Sequence, residues 1–380
     1  MLRSAGGLAA VTALAGCENT MPTGRGGPSG KSMVPQAGGS VALTGGQVFR
    51  DGRFTPATVV VDGERISAVG LDVEVPDNAE RLDCSGRWLI PGFVDAHVHV
   101  QFSSPDAILA GGVTSVRDLG SPPSQGLALA AGSSPLRVLA AGRILTPVGG
   151  YPTTSWGGDG TGREVRDAED AAAAVREQAT AGACVIKVAL EPAGGPVFDE
   201  GLLRAVVETA SAEGLAVTAH VGSAPLLELA VATGVDELAH LPLYDVTAAE
   251  MARAAEAGMV LVPTLEIRGA DADALRAVAG FREAGGKVVY GTDLGNGGTA
   301  AGIETAEVRA MLGTGMAPAE VLDAATAVAA DHLGLDDVGR LRPEASADVV
   351  VLGADPLKDP AGYDDVRLVL ASGVIVTDRT

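Results

Sequence analysis

The chemistry this 380-residue chain can offer is concentrated in four of its five histidines, one aspartate and one lysine. His97 and His99 stand two apart in DAHVHV, while His220, His240 and Asp293 close the runs VTAH, ELAH and YGTD. Neutral imidazole and carboxylate are ligands that divalent cations take at catalytic sites. A His-x-His pair alone is ambiguous, because half-buried histidines with a satisfied hydrogen bond are common. Spacing strengthens the metal reading. If His97 and Asp293 end the first and last strands of a barrel, the roughly 200 residues between them give about 28 per βα unit, close to a minimal barrel of ~250 residues. His220 and His240 then end the fifth and sixth strands on the same rim. His332 falls in a helix, where the helix dipole accounts for it.

Lys187, in VIKVAL, ends the fourth strand on this spacing. An ordinary strand lysine snorkels to water. Here an ammonium would sit beside metal ions, which is electrostatically untenable. A buried neutral lysine can instead take up carbon dioxide as a carbamate, an anion with two oxygens able to bridge two ions. Carbamate, Asp293 and a hydroxide would then offset most of the charge of two divalent cations.

These residues need a scaffold that brings distant strand ends together. From Val41 to Ile90 short β-like runs are broken by Asp51-Gly52 and Asp62-Gly63, dipeptides suited to tight hairpins. After Pro91-Gly92 the text alternates between short β-branched runs and Ala-rich stretches of helical period. Eight strands are expected: FVDAHVHV, GVTSVRDL, LRVLAAGRI, CVIKVAL, LAVTAHV, VDELAH, GMVLVPTL and KVVYGTD. The clearest helices, AEDAAAAVREQATAG, EGLLRAVVETASAEG and APLLELAVATG, each close on a glycine able to cap them. ADVVVLGADP and DVRLVLASGVIV return to strand patterning and pair most economically with the N-terminal strands. The expected fold is α/β: a (β/α)8 TIM barrel over 92–338, beside a small β-sandwich domain built from 41–91 and 339–380. Residues 1–40 form a signal-like or disordered leader.

Composition narrows the partners. Apolar residues make up 47% but aromatics only 3%, so the core is built from Ala, Val and Leu. A net charge of −21 repels nucleic acid and anionic lipid headgroups. The expected partners are a small-molecule substrate and at most further copies of the chain. Cys17, Cys84 and Cys184 match neither a disulfide framework nor a CxxC metal site. Arg3 and the apolar run Ala5 to Ala15 outline a short export signal, and Leu14-Ala15-Gly16-Cys17 is similar to a bacterial lipobox. The cytoplasm is the expected location, with an exported lipoprotein anchored through Cys17 as the alternative.

PGFVDAHVHV, VIKV, VTAH, ELAH, YGTD and the C-terminal ATAVAADHLGL…ADVVVLGADPL together resemble the amidohydrolase superfamily, with the flavour of its imidazolonepropionase-like, prolidase-type branch. The resemblance spans Val41 to Val376 and implies a binuclear centre, usually zinc. His97, His99 and Asp293 would hold one ion, His220 and His240 the other, with carbamylated Lys187 between them. A metal-bridging hydroxide would attack an amide carbonyl, and Asp293 would pass its proton to the leaving amine. Dipeptides or N-acyl amino acids are the implied substrates. Rival readings are a mononuclear deaminase or cyclic amidase, an esterase or lactonase on the same scaffold, and a non-enzymatic binding module. Deaminase-type relatives usually carry a Glu shortly after the fifth-strand histidine, where this chain has Val221-Gly222-Ser223. Gly149-Gly150-Tyr151 stands where Gly-Gly-His is common, so a phenol would replace an imidazole. Substrate contacts are expected from Tyr151 and Tyr244, with Arg117 and Arg268 as anchors for an anionic end.

Overall fold

A computed structural model describes residues 39–296 and 298–380. Residues 1–38, which include Cys17 and nearly all of the expected leader, lie outside the described residues. Five strands open the described chain: β1 (Ser40–Arg50), β2 (Arg53–Asp62), β3 (Arg65–Gly70), β4 (Glu80–Asp83) and β5 (Trp88–Pro91). Both predicted dipeptides turn as expected, with φ of +75° at Gly52 and +57° at Gly63.

The next ten strands carry the candidate site. They are β6 (Phe93–Val98), β7 (Val113–Asp118), β8 (Arg137–Ala140), β9 (Ile144–Pro147), β10 (Gly162–Val165), β11 (Ile186–Leu190), β12 (Val217–Val221), β13 (Glu237–Leu238), β14 (Val260–Leu261) and β15 (Lys287–Val288). The C-terminal strands are β16 (Val349–Leu352), β17 (Val366–Ala371) and β18 (Val374–Asp378).

All eight expected strand segments contain a strand. LRVLAAGRI divides into β8 and β9 because Gly142 turns the chain at φ +76°. The unforeseen β10 pairs in parallel with β9. Helices Ala168–Thr180, Glu200–Ala212 and Ala224–Thr233 occupy the three predicted stretches. Gly182, Gly214 and Gly234 follow them with positive φ, conformations that a Cβ disfavours.

The strand pairing differs from the closed barrel of the sequence reading. Parallel ladders form one three-stranded sheet, β6-β7-β8, and one seven-stranded sheet, β10-β9-β11-β12-β13-β14-β15. Between the sheets, a few hydrogen bonds and one parallel bridge, Val98 with Leu294, replace ladders: Ala96 N to Tyr290 O at 3.1 Å, Asp293 N to His97 O at 2.8 Å, His99 N to Leu294 O at 2.7 Å, and Cys184 N to Ala140 O at 2.9 Å. The two-residue ladders of β13, β14 and β15 stop before the residues that bear function.

The chain ends meet as inferred, but as one sheet rather than a two-sheet sandwich. Its order is β18-β17-β16-β5-β1-β2-β3, with β4 alongside β1. β1 changes partner from β4 to β5 across an irregularity between Leu43 and Gly46. The sheet curls, because Val59 and Val61 of β2 share one apolar cluster with Leu368 and Leu370 of β17, four strands away. A larger cluster, rich in Ala, Val and Leu, fills the space among the parallel strands and helices. Among the described residues no helix is long and apolar enough to cross a membrane.

Candidate active site

Alternation along β6 sends His97 and His99 in one direction, and both rings end beside the same carboxylate. His97 Nε2 and His99 Nε2 each lie 3.2 Å from Asp293 Oδ1, and His240 Nδ1 lies 3.6 Å from Asp293 Oδ2. The ring centroids of His97 and His240 are 4.6 Å apart, and those of His220 and His240 are 4.9 Å apart. Residues from β6 and from the segments following β13 and β15 thus meet with His220 of β12 in one buried cluster. His97, His240 and Asp293 present ligand atoms that all lie within 4.8 Å of one another, a candidate metal site.

Each imidazole is oriented through a second contact, which decides which nitrogen remains available. His97 Nδ1–H donates to the Ala239 carbonyl at 2.7 Å, and His99 Nδ1–H to the Gly120 carbonyl at 2.7 Å. His240 Nδ1 hydrogen-bonds the Thr264 hydroxyl at 3.0 Å. Those three rings keep Nε2 free. His220 is oriented the other way: its Nε2–H donates to Glu191 Oε2 at 3.1 Å, leaving Nδ1 free. A partner on the outer nitrogen fixes tautomer and aim, which is how metal-ligating histidines are commonly prepared. The backbone is also held away from its relaxed state. Asp293 and Thr264 adopt φ of +54° and +43°, positions costly for residues other than glycine.

Burial and Asp293 together govern the charges: burial would lower His99, but the Asp293 carboxylate holds that imidazole above its usual range. Loss of water holds His97 and His240 well below the usual imidazole range, and it lowers His220 as well. Burial would raise Asp293, but His97, His240 and His99 together hold it well below the carboxylate range. Burial also brings the Lys187 ammonium down to about 7. Lys187 is 2% exposed, and its Nζ has no hydrogen-bond partner. His97 Nε2 and Asp293 Oδ1 are likewise buried and unpartnered, for their close approach lacks hydrogen-bonding geometry. Native interiors seldom leave such atoms idle. Converging orphaned donors, neutral imidazoles and an ionised carboxylate fit divalent cations.

The substrate candidates occupy different places. Tyr151 leans over His220 with centroids 5.2 Å apart, and its hydroxyl accepts a hydrogen bond from Trp156 Nε1 at 2.7 Å. Tyr244 is exposed on the segment after β13. Arg268 donates through Nε to the Pro242 carbonyl at 3.3 Å and is half-buried. Arg117 is not at the rim. Its guanidinium is buried, pairing with Glu237 Oε1 at 2.6 Å and donating to the Ala96 carbonyl at 2.9 Å. That double engagement leaves it no free fork for a substrate.

Two participants escaped the sequence reading. Glu191, one residue beyond β11, supports His220; its position directly after the VIKVAL strand was the available signal. His332 does more than favour a helix dipole, since its Nε2 pairs with Glu237 Oε2. No local pattern joins residues so far apart in sequence.

Residues 88–376 match the model of the Amidohydrolase family. The chain belongs to that family. An imidazolonepropionase of Streptomyces griseus is 29% identical over 357 residues, covering 80% of this chain and 87% of the relative. An uncharacterised protein of Mycobacterium tuberculosis is 32% identical over 331 residues, 76% of this chain and 85% of its own. A prolidase crystallised with N-methylphosphonate-L-proline superposes with a TM-score of 0.73 at 27% identity, over 89% of this chain and all of the other. These relatives mark the imidazolonepropionase-like, prolidase-type branch, and the chain is a hydrolase acting on carbon–nitrogen bonds.

Proposed function

We propose that the chain is a metal-dependent hydrolase cleaving the C–N amide bond of a dipeptide or N-acyl amino acid. The observation that carries this reading is the convergence of free imidazole nitrogens and Asp293 in a buried site that also holds the unpartnered Lys187. In this reading residues 92–338 form the family's (β/α)8 barrel, with 41–91 and 339–380 as the companion β-domain. His97, His99 and Asp293 would hold one divalent ion, and His220 through Nδ1 and His240 through Nε2 the other. Lys187, neutral because it is buried, would take up carbon dioxide and join the two as a carbamate. Zinc is the expected metal. When bound, such ions acidify water and polarise a carbonyl.

The chain's own residues handle the rest. Asp293, held ionised by its histidine neighbours, accepts the proton of the attacking water and returns it to the departing amine. Its strained backbone keeps the carboxylate aimed at the histidine nitrogens. Tyr151 accepts from Trp156, so its own O–H remains available to a substrate carbonyl or carboxylate. The prolidase-type relatives favour a dipeptide or N-acyl amino acid.

A second reading has one observation behind it. Glu191 sets a carboxylate against the His220 ring, an acid/base pair suited to a mononuclear cyclic amidase with its ion on His97, His240 and Asp293. Metal analysis separates the two. Protein purified with zinc and bicarbonate should hold about two ions per chain and hydrolyse members of a dipeptide and N-acyl amino acid panel. About one ion per chain, with activity only on cyclic amides, would overturn the first reading in favour of the second.

A further inference from the structure

Aromatic side chains are scarce here, with 6 Phe, 4 Tyr and 2 Trp in 380 residues. Three of them form a continuous belt over the candidate active site. Phe102 meets Trp156 edge-on at 6.1 Å, and Trp156 meets Tyr151 at 6.2 Å. The belt is tied to the histidines at both ends and in the middle. Phe102 meets His99 edge-on at 6.4 Å, Trp156 packs edge-on against His99 at 5.0 Å, and Tyr151 lies over His220 at 5.2 Å. The rings therefore span from His99, directly after β6, to His220 of β12, on loops that leave β6 and β9.

The belt opens to solvent at one end: Phe102 is exposed, while Tyr151 and Trp156 are half-buried. Single exposed apolar residues need no explanation, but aromatic rings packed together beside a polar reaction centre do. The belt is also braced. A Cβ on Gly194 would fall 2.4 Å from the Tyr151 side chain, and one on Gly295 would fall 2.6 Å from the Phe102 ring. Two neighbouring loops thus press on the rings at places where only glycine fits. The Trp156–Tyr151 hydrogen bond fixes the middle of the belt. Preformed apolar walls with a few polar groups are the usual form of a small-molecule subsite.

We propose that Phe102, Trp156 and Tyr151 form a specificity subsite that receives an aromatic or branched aliphatic group next to the scissile amide. This rests on the amide-hydrolase reading above. It assigns the chain apolar substrates and disfavours carboxylate-bearing side chains, which the Phe102 and Trp156 rings would desolvate without offering a partner, since the Trp156 N–H is already spent on Tyr151.

The test uses the full-length, metal-loaded protein. Trp88→Phe leaves Trp156 as the sole tryptophan and hence a direct optical reporter. Titration with N-(phenylsulfonyl)glycine, which has no hydrolysable amide, should perturb Trp156 emission with half-saturation about tenfold below that of N-(methylsulfonyl)glycine. Phe102→Ala should bring the two probes to within about twofold. Equal half-saturation for both probes, no response to either, or unchanged selectivity in Phe102→Ala would overturn the subsite.

Activity gives the second arm. Across benzoyl-, acetyl- and succinyl-amino acids, kcat/KM should favour benzoyl over succinyl by about tenfold or more, and Trp156→Ala should cut that ratio by about tenfold. Hydrolysis of all three at similar rates overturns the subsite while leaving the amide-hydrolase reading intact. Optical selectivity without hydrolysis of any amide does the reverse.

Discussion

Two histidine–carboxylate clusters occupy the interior among the parallel strands, and they differ in how completely their polar atoms are used. At the rim, His97, His99, His220 and His240 surround Asp293 while Lys187 Nζ, His97 Nε2 and Asp293 Oδ1 lack partners. One layer deeper, Thr218 and Glu237 lie in register on β12 and β13, beside Lys187 of β11. There Glu237 receives the Arg117 guanidinium at 2.6 Å, the Thr218 hydroxyl at 2.5 Å and the His332 ring. Saturated in this way, the deeper cluster fixes strands to each other. The rim cluster has unspent valence, which is what a reaction centre requires and a structural network avoids.

The largest contrast is expected at Lys187. Replacing it with Ala should lower kcat/KM by about a thousandfold or more and reduce bound metal, because the bridging anion is lost. Thermal stability should hold or rise, since an unpartnered buried amine contributes nothing to the fold. Activity within about tenfold of the parent would remove the carbamate from the mechanism.

Glu237→Ala should show the opposite profile. It leaves the buried Arg117 charge without its carboxylate, a change worth about 3–5 kcal/mol of stability in a denaturant melt. Its pH dependence has a defined sign. The Arg117 guanidinium and the His332 and Thr218 hydrogen bonds outweigh burial and hold the Glu237 carboxyl down at about 2, from an ordinary 4.5. Its stabilisation is therefore fully present above about pH 4.5 and is lost as pH falls toward 2. A parent-to-variant stability gap that stays constant from pH 6 to pH 3 would break this account.

Legibility in the sequence followed the same division. Rim residues were readable because strand ends in a βα series have a regular spacing and because imidazole has few other reasons to recur there. The deeper network was not. Glu237 pairs with Arg117 and His332 across separations of 120 and 95 residues, and no short pattern encodes such contacts. Arg117 illustrates the error: read as a rim anchor, it points inward from within β7. Glu191 was missed because a carboxylate after a strand is commonplace until the ring it supports is known. The ladders of β13 to β15 are shorter than their apolar runs suggested, since the chain bends at the rim to aim His240 and Asp293.

Glu191 sharpens the comparison from between the two clusters. It is spent on His220 and on the Ala193 amide, yet it supports a rim residue. Glu191→Gln keeps the shape but weakens the partner that fixes the His220 tautomer. Metal affinity measured by chelator competition should fall by about 10- to 100-fold with little change in the melting midpoint. An unchanged affinity would make Glu191 a loop-ordering residue only.

The smallest effect tests whether an unsatisfied atom by itself marks function. Glu307 is fully buried, accepts the Glu266 amide at 2.7 Å through Oε2, and leaves Oε1 unpartnered. It converges on none of the rim ligands. Burial raises its carboxyl to about 8 from an ordinary 4.5. Because the folded state holds this proton more tightly than the unfolded chain, stability falls as pH rises from about 4.5 toward 8 and levels off above. Glu307→Gln mimics the protonated form, so it should match the parent near pH 5 and become the more stable of the two as pH rises toward 8.5. Metal content and kcat/KM should stay within about threefold of the parent. A larger loss of either would mean that the unspent Glu307 oxygen, on the helix Thr305–Gly313, belongs to the reaction centre, and that convergence, rather than a missing partner alone, is too strict a sign of function.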